Sequence, residues 1–516
     1  VALSVTALDL LPTAWTGAMR AGAVAFLVSG LLLALWSARE TLSLIAHPRR
    51  PWLALAVAAA VAIALLILAG RTESLHRELA EEVGCALDRL ASDPVAGFKT
   101  RCYLGYPTRQ YYLAALPSAL FGRSLFTLQA GGAIYFLIGL GLFVCGLHAF
   151  FGGDRTADAI AAATLLFFLH LRWSLYMTSH FEQSGFPEAL ALAFAGACLL
   201  YLSRHEASGV WLLALVLVHA ASSYTPALSL AVGGIFVLAA IAFADRPSRP
   251  HRRALLLAML LVAVEIAVSL TYRRDLRLVG NADSPGGFIV RLGSAARQLL
   301  LPDNDAPFAD PLGLVGLWVS LGLALCGRLG RWAVGIAAWF LLTSLVASAS
   351  YGTWLYSAEL ALHRSSVAIP ALLVLFALAL RRYFPTRLAA ARAFRIALYL
   401  AALGAGIYQT SVLAHRYTDG SGALAWWIDR ELSRRHEGPR PIAIDEAIDP
   451  FASHIFQFLH YFVPGAETSR HWRACDEAMP AHILVTRAGS PCDQQQRSQR
   501  APAEFTFRGD RYSVFF

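Results

Sequence analysis

Charge is what this sequence has least of. Only 15% of its 516 residues are Asp, Glu, Lys or Arg, while 57% are hydrophobic. A water-soluble chain of that length needs a charged surface these proportions do not provide. Lysine is scarcer still: Lys99 stands alone, so arginine carries the formal net charge of +9. A P-loop needs its lysine after spaced glycines and directly before Ser or Thr. Gly97-Phe98-Lys99-Thr100 lacks that frame, which argues against ATP-driven transport by this chain itself. His-Glu-x-x-His, Cys-x-x-Cys and Gly-x-Ser-x-Gly are also missing. Zinc-peptidase, dithiol-redox and serine-hydrolase chemistries therefore have no support. Internal repeats and long low-complexity segments are lacking too.

What the chain does have is long apolar runs near the 18 or so residues of a transmembrane helix. Spans are expected at 17–37, 52–70, 127–149, 157–174, 184–203, 209–223, 225–244, 254–272, 310–327, 332–350, 366–381 and 396–414. Tyr224-Thr225-Pro226 interrupts the region 209–244. The first run precedes Arg39-Glu40-Thr41 rather than a small-residue cleavage site, so it reads as a retained anchor. The fold class expected is an all-α polytopic membrane protein of about 12 transmembrane helices.

Arginine sets the orientation. Arg39, Arg49, Arg50, Arg155, Arg204, Arg246, Arg249, Arg252, Arg253, Arg328, Arg331, Arg381, Arg382, Arg387, Arg392 and Arg395 fall in alternate short loops, which assigns those loops to the cytoplasm. The outer loops are then 71–126, 272–309 and 351–365, together with the tail 415–516. Cys85 and Cys102 lie in the first outer loop and Cys475 and Cys492 in the tail, on the oxidising side where disulfides persist. Spacing alone leaves open whether either pair is bridged. Cys145, Cys198 and Cys326 sit in apolar runs as packing residues.

Two domains follow: 1–414, the membrane part with its outer loops, and 415–516, a small extracytoplasmic α/β domain. In the latter, Ala423–Arg435 reads as an amphipathic helix. Pro441–Asp445 and Ile483–Thr486 read as buried strands, and Phe505–Phe507 with Tyr512–Phe516 as a closing hairpin.

The chemistry-bearing residues concentrate on the outer side. Glu73 follows the second apolar run. Tyr106-Pro107, Tyr111-Tyr112, Leu120-Phe121-Gly122 and Ser124-Leu125 complete the first outer loop. His363-Arg364-Ser365-Ser366-Val367-Ala368-Ile369-Pro370 opens a late span. This arrangement resembles the GT-C superfamily of polyprenyl-phosphate-sugar-dependent membrane glycosyltransferases, which includes protein O-mannosyltransferases and aminoarabinose transferases. Those proteins carry an acid or acid pair after an early helix, a Pro-containing aromatic stretch some thirty residues on, and a Leu-Phe-Gly turn into the next span. Here the double acid reads Thr72-Glu73, Thr108 replaces the second proline, and one extra helix comes first.

The resemblance implies transfer of a sugar from a polyprenyl-phosphate carrier to an extracytoplasmic acceptor in the cell envelope. Glu73 would be the general base, taking the acceptor's proton as its oxygen attacks the anomeric carbon. Glu182 is the second acidic candidate. Arg364 beside His363, with Arg273 or Arg274, would bind the departing phosphate. Tyr111 and Tyr112 would line the sugar cavity, although interfacial aromatic belts are a common alternative cause.

Glu265, inside an apolar span, is a candidate substrate contact. Glu78, Glu81, Glu82 and Asp88 read instead as the wet face of an amphipathic helix, and His170 and His219 as satisfied core histidines. Asp303-Asn304-Asp305, with Asp310, leaves a divalent cation open as cofactor.

The partners implied are the lipid-linked donor, a glycolipid, polysaccharide or protein acceptor, and membrane lipids. A membrane-protein partner stays open and nucleic acid is not among them. The location implied is a bacterial inner membrane with the tail in the periplasm. The rival readings are a non-catalytic scaffold of the same fold and a lipid-linked saccharide transporter. The topology has its own test. A cysteine at Ser74 should react with a membrane-impermeant maleimide on intact spheroplasts, and labelling only after permeabilisation would contradict the assignment.

Overall fold

A computed structural model describes residues 16–46, 51–71, 77–92, 111–171, 185–204, 212–213, 215–216, 285–301, 308–349, 367–383, 390–416, 420–438, 440–445, 448, 452–463, 470–472, 475 and 482–516. The chain forms two compact units. The first comprises Val1–Leu68 and Gly132–Leu413, the second Ala69–Gly131 and Ala414–Phe516.

The helices are α1 (Thr16–Ile45), α2 (Trp52–Arg71), α3 (Arg77–Ser92), α4 (Tyr112–Phe121), α5 (Leu125–Phe150), α6 (Arg155–Leu169) and α7 (Gly185–Arg204). They continue as α8 (Pro285–Leu300), α9 (Pro311–Leu325), α10 (Arg331–Ala349), α11 (Ile369–Tyr383), α12 (Ala390–Arg416) and α13 (Ser421–Arg434). Helices thus stand at nine of the expected spans, while 209–223, 225–244 and 254–272 fall almost wholly outside the described residues. The segment 272–309, expected as an outer loop, contains α8, a helix not foreseen there.

Leu27–Ile45 and Leu125–Phe150 are each long and apolar enough to cross a membrane. The 26 residues of α5 extend about 39 Å, more than the ~30 Å hydrocarbon layer.

In the first unit, small residues let helices approach closely. A Cβ at Gly139 would lie 2.4 Å from the Ala189 carbonyl oxygen, and one at Gly196 would lie 2.3 Å from the Leu142 carbonyl carbon. These contacts bring the backbones of α5 and α7 together, the usual device of helices that gain little from apolar burial in lipid.

Polar groups inside the bundle find partners far away in sequence. His170, buried at the end of α6, places Nδ1 2.5 Å from Asp310 Oδ2 and Nε2 3.1 Å from the Ala402 carbonyl of α12. Asp310 also caps α9 by accepting from Gly313 N at 2.8 Å. Asp158 accepts from Ala54 N at 2.7 Å, and so caps α2 from a different helix. Arg204 Nη1 donates to Glu40 Oε2 at 2.8 Å, joining α7 to an α1 that runs past the expected end at residue 37.

In the second unit the tail folds as foreseen around β1 (Ile442–Asp445), β3 (Ile483–Arg487), β4 (Ala503–Phe507) and β5 (Asp510–Phe515). Three further elements complete it: α14 (Ala452–Phe462), β2 (Arg470–Trp472) and α15 (Pro491–Arg497). Strand order is β2-β1-β3-β5-β4. β1 pairs in parallel with β2 and β3, and the remaining pairs are antiparallel. α14 lies between β1 and β2 in sequence, as a parallel crossover requires.

Cys475 and Cys492 form a disulfide against the buried cluster of Ala443, Leu484 and Phe515. Cys85 is disulfide-bonded as well, whereas Cys145, Cys198 and Cys326 are free thiols.

Asp493 is a buried carboxylate that links α15 to the sheet. Burial alone would raise its pKa, but donation from Gly489 N–H, Ser513 and Arg497 outweighs that and lowers it. Two outcomes follow. Asp310→Ala strands His170 among apolar helices and should cost about 3–5 kcal/mol, read as a lower melting temperature in detergent. Asp493→Asn should cost about 1–3 kcal/mol at pH 7. A depressed folded pKa stabilises above the ordinary value of 3.8 and loses that contribution as pH falls through the folded value. The gap between wild type and Asp493→Asn should therefore close in acid.

Candidate functional site

One candidate region lies in the second unit, on α4 and the turn into α5. Gly122 adopts φ +84°, a conformation that side chains resist, and this lets α4 stop and α5 start within three residues. Ser124 and Thr127 then cap α5 reciprocally: Ser124 N donates to Thr127 Oγ1 at 3.0 Å, and Thr127 N to Ser124 Oγ at 3.1 Å. The Leu-Phe-Gly-x-Ser sequence is thus a turn-and-cap device. Its Leu120 and Phe121 are exposed.

Tyr461 of α14 joins this turn from the tail. Its hydroxyl lies 2.7 Å from Ser118 Oγ and 3.1 Å from Thr127 Oγ1, and donates to the Ser124 carbonyl at 3.1 Å. Arg123 Nη1 donates to the Tyr461 carbonyl at 2.8 Å, and Nη2 pairs with Asp88 of α3. Arg123 also acts on Asp429 of α13. Burial raises the Asp429 carboxyl above the usual range, and Arg123 and Arg430 offset part of that rise.

Glu81 and Glu82 depart from the wet face expected of the acids of α3, while the Asp88 side chain is 38% exposed. Glu82 is fully buried and Glu81 nearly so. Glu81 accepts from Gln457 Nε2 at 3.1 Å and lies 3.3 Å from His460 Nδ1, both on α14. Tyr111 and Tyr112, expected to line the sugar cavity, open the α4 region with their side chains fully buried, so they pack as core instead.

A separate candidate region lies in the first unit, where α7, α10 and α11 meet. Ala191 of α7 and Val367 at the head of α11 form a buried cluster with Trp339 of α10 packed against it. Val367 follows Arg364 by three residues, and Ala191 follows Glu182 by nine. Glu188, fully buried in the first turn of α7, is an acid the sequence reading passed over. Its signal was the same as that of Glu265, a carboxylate embedded in an apolar run.

Glu73, Glu182, Glu265, Arg273, Arg274, His363 and Arg364 lie outside the described residues, as do His219, Cys102, Asp303 and Asp305. Asp310 is engaged with His170 and Gly313. Among the described residues no three His, Cys, Asp or Glu side chains are grouped to hold a metal.

The fold of this chain is similar to that of a solved structure. The similarity is to ArnT, an aminoarabinose transferase. The crystal structure of ArnT from Cupriavidus metallidurans bound to undecaprenyl phosphate matches with a TM-score of 0.50 at 14% identity, over 89% of this chain and 97% of that one. Its apo-state structure matches with a TM-score of 0.49 at 14% identity, over 84% and 93%. No family model and no curated protein matches the sequence.

Proposed function

We propose that this chain is an integral membrane glycosyltransferase moving a sugar from a polyprenyl-phosphate carrier to an acceptor on the outer face of the bacterial inner membrane. The observation that carries this reading is the fold similarity to an ArnT that binds undecaprenyl phosphate, extending over 89% of the chain. The apolar surface supports the membrane setting: Leu31, Leu35 and Leu42 of α1, Leu312, Val315 and Val319 of α9, and Leu400, Ile407 and Tyr408 of α12 all face outward. Water leaves so extensive an apolar face unsatisfied, and lipid does not.

The reaction needs three services from the protein. Glu73 accepts the proton of the acceptor group as its oxygen bonds to the anomeric carbon. The bond from that carbon to the carrier phosphate breaks, and the phosphate leaves with the electron pair. Arg364, with His363 and Arg273 or Arg274, holds the leaving phosphate and offsets its developing charge. Glu182 and Glu265 orient the sugar or the acceptor. Nucleotide sugars are made in the cytoplasm, so an outward-facing site draws on a lipid-borne donor. The tail, 415–516, stands on that same outer side.

Replacing Glu73 by Gln keeps the size of the side chain and removes the base. In purified full-length protein with a polyprenyl-phosphate sugar and envelope extract as acceptor, Glu73→Gln should lower transfer by about 10²–10⁴-fold while donor binding persists. Unchanged transfer would remove Glu73 from the chemistry. Assembly or lipid movement that persists in the variant without any transfer by wild type would favour the scaffold or transporter instead.

A further inference from the structure

The sheet of the second unit ends in an open edge. β4 is its outermost strand, and β5 lies between β4 and β3. Phe507 and Asp510 close a two-residue turn in which Arg508 has φ +49° and Gly509 φ +94°, the left-handed pair that tight hairpins require. The direction of the backbone groups follows from β5. The Arg511 carbonyl accepts from Ala488 N–H at 2.8 Å, and the Ser513 carbonyl from the Thr486 hydroxyl at 3.4 Å, so Arg511 and Ser513 turn toward β3. Their partners on β4 are Thr506 and Glu504. In an antiparallel pair those partners turn their own N–H and C=O groups the opposite way. Thr506 and Glu504 therefore present their backbone donors and acceptors to the free edge. Both residues are exposed, and no backbone bond from another described element reaches them.

This row of groups suits a second copy of the same strand. A two-fold axis through Phe505 sets Glu504 of each copy against Thr506 of the other, and every edge N–H and C=O of the two residues finds a partner. Setting Glu504 against itself would oppose like charges and bring in Pro502, which has no N–H to give. Setting Thr506 against itself would run Glu504 into the hairpin turn. Glu504 already accepts from Arg497 Nη2 at 2.8 Å, so it brings no unpaired charge to the contact. Phe505 is half-buried, its ring 5.6 Å from that of Trp427 and 6.4 Å from that of Tyr512. In the Glu504–Thr506 register the two Phe505 side chains become a close, non-hydrogen-bonded pair and carry this aromatic cluster across the axis.

We propose that β4 is a self-association edge. Two copies of this chain join β4 to β4 in antiparallel fashion, Glu504 against Thr506, and make one continuous sheet across a two-fold axis. The inference stands apart from the transferase reading.

Membranes containing the full-length protein are oxidised with copper phenanthroline and resolved on a non-reducing gel. Phe505→Cys should give a disulfide-linked dimer, because paired Cβ atoms at such a position lie about 4.5–5.5 Å apart. Arg511→Cys, exposed on the same hairpin but one strand inward, should give no more dimer than wild type. Added to Phe505→Cys, Thr506→Glu places a second carboxylate opposite Glu504 in both pairs and should lower the dimer about fivefold. Thr506→Arg at the same exposed position should preserve it. No dimer above wild type from Phe505→Cys, as much from Arg511→Cys, or equal yields with Thr506→Glu and Thr506→Arg overturns the β4 pairing.

Discussion

A polar group among apolar helices must be met by another, and in this protein that requirement fixes which helices are neighbours. His170 is the clearest case. One ring nitrogen meets Asp310 and the other a carbonyl of α12, so a single buried side chain ties together three helices that are far apart in sequence. Asp158 holding the first turn of α2, and Glu40 held by Arg204, repeat the logic elsewhere in the bundle. The apolar surfaces supply area without direction, and these few bonds supply the direction.

The second unit applies the same constraint. Glu81 and Tyr461 would each be costly to bury alone, yet each is satisfied across the contact of residues 77–127 with the tail. The Leu-Phe-Gly turn gains a physical meaning from this. Gly122 permits the bend, Ser124 and Thr127 cap the helix that follows, and Arg123 fastens the turn to Asp88 and to the Tyr461 backbone. A motif read as a family signature is thereby also a structural joint.

Much of this architecture is legible in the chain. Long apolar runs mark the spans, and short apolar runs in Ile442–Asp445 and Tyr512–Phe515 mark strands. Other elements are not legible, for physical reasons. α8 hides because Gly286, Gly287 and Gly293 dilute its apolar spacing. α14 hides because the aromatic and histidine residues of Ala452–Phe462 suit strand and helix equally. The three residues of β2 carry too little pattern to register.

Glu81 misleads for a different reason. An acid on an amphipathic helix reads as solvated until a partner some 376 residues later is known. Of the candidate site, the two tyrosines and the turn are placed, and the acids and arginines stand on sequence and resemblance alone.

The transferase account meets its most direct test in the envelope itself. Glycolipids and cell-envelope polymers are compared by mass spectrometry in cells with and without the gene. The account predicts that deletion leaves a polyprenyl-phosphate sugar accumulating and one class of acceptor lacking the mass of that sugar. Identical lipid and polymer profiles in the two strains would contradict it.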